Sequence, residues 1–219
     1  MILSDAAARL IAERREAILV RAGAGHRSLV GECADRIVAH NVRMTGLGTR
    51  ASKFCARGCA RCCAMIFFAS PAEVEVIAFH LLERPELLRV FLLNSLERER
   101  MILPHEGLYR RCQAATLCDD ANLAAFYALD IRCAFNVEGA CAIYPVRPLA
   151  CSLYNSIVPA DVCAVEPKAY ETEEMRMHHG DARRWLAGHV RSFPVRDGQR
   201  LDVSRKVLVR LIDLVDSVT

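Results

Sequence analysis

Long apolar runs are missing from this chain, and so is any excess of charge. No stretch approaches the about 18 uninterrupted apolar residues that a membrane-spanning helix needs. Twenty-nine basic residues against 26 acidic ones leave a formal charge of only +3. That balance argues against a nucleic-acid partner and against a membrane-surface partner. The first residues, MILSDAAARLIAERREAILVRAG, also lack a cationic segment followed by an apolar core and a small-residue cleavage site. Charges at Asp5, Arg9, Glu13, Arg14, Arg15 and Glu16 interrupt them every few positions. They read as an amphipathic helix rather than a leader, so the expected location is cytoplasmic.

Strand signals are weak too. No Asn-Gly or Asp-Gly turn joins alternating runs, and there is no internal repeat or low-complexity linker. A Gly-rich phosphate loop, a nucleophile elbow and an H-E-x-x-H helix are likewise missing, so no independent active site announces itself.

What remains points to helix. At 53% hydrophobic and 25% charged, the 219-residue chain can bury a substantial core. Residues 4–21 carry Leu10, Ile11, Ile18 and Leu19 on one side, with Ser4 as N-cap and Gly23 as a stop. Residues 27–43 repeat the pattern through Leu29, Cys33, Ile37 and Val38, and TGLGTR at 45–50 is expected to break it. SPAEVEVIAFHLLERP opens with a helix start, Ser70 capping, Pro71 in the first turn and Glu73 three residues on. Pro85 should end that helix and another should follow, with further helices near 107–128, 171–191 and 202–217. Residues 131–169 stand apart. Pro145, Pro148, Pro159 and Pro167 fall there without a sustained helical period, so something other than helix hydrogen bonds must fix the segment. The expected fold is all-α, a helical single domain with an irregular, metal-stapled cysteine-rich loop region. Residues 1–45 would form an N-terminal helical pair, 46–170 the cysteine-cluster region and 171–219 C-terminal helices packing on it.

The chain's one surplus is cysteine. There are eleven, and KFCARGCARCCAMIFF places Cys55, Cys59, Cys62 and Cys63 within nine residues. A second group, Cys133, Cys141, Cys151 and Cys163, lies in the irregular segment. A reducing cytosol disfavours disulfides, an odd total leaves one thiol over, and neighbours such as Cys62 and Cys63 do not readily bridge each other. Metal ligation is the better reading, and thiolates favour zinc and iron. Cys55, Cys59 and Cys62 can be aimed at a common centre by one tight turn. Cys63, expected to point away, would serve a second ion or a bridge, with a fourth ligand for the first centre supplied by the later group. Structural zinc sites prefer paired C-x2-C knuckles, which are not seen here. Three close cysteines and one distant one are common for iron–sulfur ligation. Arg57, Arg61, Arg132 and Arg147 lie beside the cysteines and can offset thiolate charge.

The spacing CARGCARCC, followed by CAFNVEGACAIYPVRPLACSLYNS and then Cys163, resembles the YkgJ-like cysteine-cluster family of zinc- or iron-chelating proteins. Its most specific piece is C-x-I-Y-x-x-R-P-x-x-C, here Cys141, Ile143, Tyr144, Arg147, Pro148 and Cys151. The resemblance covers about residues 55–165. It implies metal ligation by Cys55, Cys59, Cys62, Cys63, Cys133, Cys141, Cys151 and Cys163, without a settled reaction. A flagellin lysine N-methylase is similar to that family, so an alternative is an iron–sulfur-dependent enzyme that modifies a protein or peptide side chain. Cys55-x3-Cys59-x2-Cys62 is also the spacing of radical S-adenosylmethionine enzymes, but the helices that follow show no alternation with strands.

Other residues have plainer readings. Cys33 lies four residues from Leu29 and from Ile37 and is expected in the core. Cys112 and Cys118, six apart, are expected to be structural. His178 and His179, in EEMRMHHGDARR, read as surface histidines at a solvated helix end. Arg147 is expected to hold carbonyls or a thiolate, Tyr144 is a candidate substrate contact, and Asn155 and Ser156 are candidate donors to the sulfurs.

Overall fold

The computed structural model describes residues 4–51, 54, 59–114, 120–163, 171–193 and 201–218. Cys55, Arg57, Cys118 and Pro167 lie outside the described residues.

The fold is all-α. Helix α1 (Asp5–Arg21) begins where Ser4 accepts a hydrogen bond from Ala7 N, as its cap position requires. The chain turns at Gly23, whose φ of +70° is left-handed, and enters α2 (Gly23–Ala51). This helix does not stop at TGLGTR. It runs through both Gly46 and Gly48, because the cost of a glycine in a helix interior is small beside what the packing of α2 supplies.

Helix α3 (Pro71–Leu82) has the full capping box of Ser70 and Glu73. Ten of its twelve residues are buried, and α2, α1, α4 (Pro85–Ile102) and α10 (Val203–Asp216) all pack against it. An all-round apolar helix belongs at the centre of a helical fold, and α3 is that centre. Its two glutamates are satisfied there. Glu73 accepts from Leu149 N at 2.7 Å and Ser70 N at 2.6 Å. Glu75, 1% exposed, accepts from Arg210 Nη2 and lies against His26 Nε2, both at 2.8 Å.

Pro85 opens α4 (Pro85–Ile102), and α5 (Glu106–Ala114) and α6 (Asp120–Tyr127) follow. The segment after α6 is irregular, as expected. It holds a two-residue hairpin of β1 (Asn136–Val137) and β2 (Ala140–Cys141), antiparallel with Asn136 opposite Cys141. Glu138 and Gly139 at its tip both have positive φ, the signature of a type I′ turn. Two short helices, α7 (Leu149–Leu153) and α8 (Ala160–Cys163), come next. Helices α9 (Glu173–Ala187) and α10 (Val203–Asp216) end the described chain. Among the described residues no helix is long and apolar enough to cross a membrane.

Candidate functional site

The irregular segment is tied to the helices by side-chain hydrogen bonds to its backbone. Asn41 on α2 donates to the carbonyls of Pro145 and Arg147, each at 2.9 Å. Asn94 on α4 donates to Ala134 and Asn136, and Arg98 to Arg132 at 3.1 Å. Tyr127 donates to the Cys163 carbonyl. From the first cysteine block, Cys63 accepts from Cys133 N at 2.7 Å. Ser204, at the start of α10, accepts from Ala134 N and lies 3.2 Å from Cys133 Sγ. Each bond satisfies a backbone group that no regular ladder serves.

These ties enclose a cavity of about 1080 Å³. Seven of the eight predicted ligands line it, Cys59, Cys62, Cys63, Cys133, Cys141, Cys151 and Cys163, all free thiols. The eighth, Cys55, is outside the described residues. The two sequence groups therefore meet at one cavity, where thiols of both blocks neighbour one another. Cys63, Cys133, Cys141 and Cys151 act on one another electrostatically. Cys62 adjoins this inner set through Cys63 and Cys151, and Cys59 acts on it as well. Cys62 and Cys63 do not point apart. They sit in a 3-10 turn, Arg61–Ala64, and their thiols hydrogen-bond each other.

The thiols titrate accordingly. The hydrogen bond with Cys62 brings Cys63 down to about 7 against the opposing effect of burial, helped by Arg132 and Arg147. Its partner Cys62 moves well up, through that same bond and through burial. Burial, then Cys133 and Cys63, pushes Cys141 up to about 12. Burial and the other three thiols raise Cys151, and burial raises Cys133 despite its bond to Ser204. Except at Cys63, the inner set is held as neutral thiols that would repel one another if all were ionised. Among the described residues, no three Cys, His, Asp or Glu side chains stand in an arrangement that could hold a metal ion. The donors thus fit a soft metal in chemical type and share one cavity, but as they stand they do not converge on a point.

The other predicted roles resolve one by one. Arg147 lies with its guanidinium 4.0 Å from the Tyr144 ring centre and donates to Thr45 Oγ1 at 3.3 Å, so both line the cavity wall as a stacked pair. Asn155 donates to Leu153 O and Ser156 to Val158 O, shaping the loop. A hydroxyl that does lie near a sulfur is that of Ser204, whose position far along the chain gave no local signal. Cys33 is fully buried in the main core and Cys112 donates to Asn122 O, both structural as expected. His178 and His179 are not surface residues. They are half-buried against His40 of α2, with ring centres 5.2 and 5.6 Å away.

Fold and site together define an all-helical protein with a thiol-lined cavity between its central helices and a cross-tied loop. No family model, curated protein or solved structure matches the chain.

Proposed function

We propose that this protein binds a thiophilic metal, zinc or iron, at the cysteine-lined cavity. Cys63, Cys133, Cys141 and Cys151 form the inner donor set, flanked by Cys59, Cys62 and Cys163, with Cys55 as a further donor from the sequence motif. The observation carrying this reading is that thiols from segments about 70 residues apart in sequence share one cavity with no disulfide among those described. A cation there would offset the burial and the mutual repulsion that otherwise hold these thiols protonated. Loading requires the side chains to turn inward, since the thiols share a cavity before they share a point. The resemblance of the Cys55-to-Cys163 motifs to the YkgJ-like family points the same way. A reducing compartment, the cytoplasm, suits such a set of thiols.

The alternative is an iron–sulfur-dependent enzyme acting on a protein or peptide side chain. Its support is the size of the cavity, larger than an ion needs, and its Phe67, Tyr144 and Tyr154 lining. One measurement addresses both readings: iron, zinc and acid-labile sulfide per chain in protein purified without oxygen. About four irons with matching sulfide would assign an iron–sulfur cluster and favour the enzymatic reading. One or two zincs without sulfide would assign a zinc site. Cys141→Ser and Cys151→Ser should lose the bound metal, whereas Cys33→Ser should keep it. Equal loss in all three variants, or no metal in any, would sink the assignment.

A further inference from the structure

Three imidazoles meet between α2 and α9. His40 is 2% exposed, and neither of its ring nitrogens has a hydrogen-bond partner. His178 stacks on it with the rings 11° from parallel, and His179 tilts against it at 54°. His178 Nε2 and His179 Nδ1 are also buried without partners. Four buried, unpartnered imidazole nitrogens in one contact are a cost that an apolar trio at these positions would avoid.

The surroundings oppose charge on this group. His40 faces His178 and His179 from α9, Arg36 from its own helix and Arg147 from the turn leading into α7. His179 faces Arg183 of α9 as well. From α3, Glu73 lines a cavity with His179, but its carboxylate is taken up by Ser70 N and Leu149 N. Among the described residues the one carboxylate bridge between these two helices is the pair Glu174 and Arg43, exposed on both sides. Apolar anchorage is modest. Met175 packs with Met44, Leu47 and Leu153 in a small separate core, and Ala182, Leu186 and the half-buried Trp185 reach the main one.

We propose that α9 is an acid-releasable strap: protonation of His40 and His179, packed with His178 between the two helices, drives it off α2 and uncovers α7, the helix that carries Cys151. Contacts of α9 with both α2 and α7 give the strap its span. The sign follows from burial. Desolvation first, then the neighbouring histidines and arginines, lowers His40 from 6.5 to about 3. His179 is lowered for the same leading reason. A released or unfolded α9 therefore binds protons that the docked helix refuses. The docked state is fully favoured above about pH 6.5 and is weakened progressively as pH falls from there toward 3.

The only tryptophan of the chain, Trp185, sits on α9 with Arg36 of α2 placed 5.8 Å from its ring centre, so its emission reports docking. His189 lies 4.3 Å from the same ring and can quench it on its own, so the experiment uses a His189→Gln background. Acid titration of the full chain should show Trp185 emission changing at a higher pH than the far-ultraviolet helical signal. His40→Leu should move that emission midpoint to lower pH or remove it, and the double variant His178→Gln, His179→Gln should do the same without touching the buried ring. If the emission and helical signals move together, or if the midpoint is the same in every variant, the strap does not exist.

Discussion

Gly48 lies inside α2 at the place where the Asn155 side chain comes against the helix. A Cβ built on Gly48 would overlap the Asn155 amide, which is held in the loop by its bond to Leu153 O. The glycine that seemed a helix breaker in TGLGTR is therefore a contact point, letting the loop beside the cavity close against an unbroken helix. Helix propensity alone would favour Gly48→Ala by about 1 kcal/mol. Overpacking against Asn155 should outweigh that and leave the variant destabilised by about 1–3 kcal/mol. Combining Gly48→Ala with Asn155→Ala should recover most of the loss in a urea midpoint measurement. If Gly48→Ala is stabilising by itself, the close approach is not a constraint. At the same scale, the imidazole trio was invisible in the sequence. His40 stands about 140 positions before His178 and His179, and only the packing of α2 on α9 turns a polar-looking HH pair into a buried contact.

Helix starts were legible wherever the signal was local. Ser4, and Ser70 with Glu73, cap α1 and α3 as their spacing demands. The start of α10 shows what spacing leaves out. Asp202 caps it by accepting from Ser204 N and Arg205 N, which a sequence can suggest. The same carboxylate, 2% exposed, also accepts from Arg98 Nη2 at 3.2 Å and from Tyr109 OH, groups about 100 residues away. Arg98 in turn holds the Arg132 carbonyl, and Ser204 holds Ala134 N beside the Cys133 thiol. One buried ion pair thus fixes how the end of α10 presents itself to the cysteine loop. Asp202→Ala removes the cap and leaves the Arg98 guanidinium buried without its counter-charge. The expected loss is about 3–5 kcal/mol, as for breaking one side of a buried pair. Asp202→Asn keeps the cap and should lose less. Equal denaturation midpoints for wild type and Asp202→Ala would show that this pair does not anchor the helix.

At the scale of the molecule, two kinds of cohesion divide the chain. Helices α1, α2, α3, α4 and α10 share a continuous apolar core that includes Ile11, Ile37, Ile77, Phe79, Phe91 and Leu211. Periodicity made those helices readable, because each buries a face that repeats along its own sequence. The loop from Cys133 to Cys163 joins that core through a few residues, Phe135, Ile143, Val146 and Leu149. Beyond them it depends on side-chain hydrogen bonds with Asn41, Asn94, Arg98, Tyr127, Ser204 and Glu73. Its cysteines could be recognised from spacing, and a ligand shared between the two groups was expected. Which thiols adjoin could not be read, since that follows from ties such as the Cys133 N to Cys63 O bond that have no sequence periodicity. If the thiols hold a metal, it adds a cross-link where the apolar core is thinnest. Chelation should then lower the thermal midpoint and speed amide exchange across residues 133–163, while α3, α4 and α10 keep their protection. Cys33→Ser should respond to the chelator as the wild type does, and Cys151→Ser should already behave as the stripped protein before any chelator is added. Uniform loss of protection through α3 would instead mean that the metal supports the whole helical core. An unchanged exchange pattern in 133–163 would mean that the side-chain ties hold the loop without it.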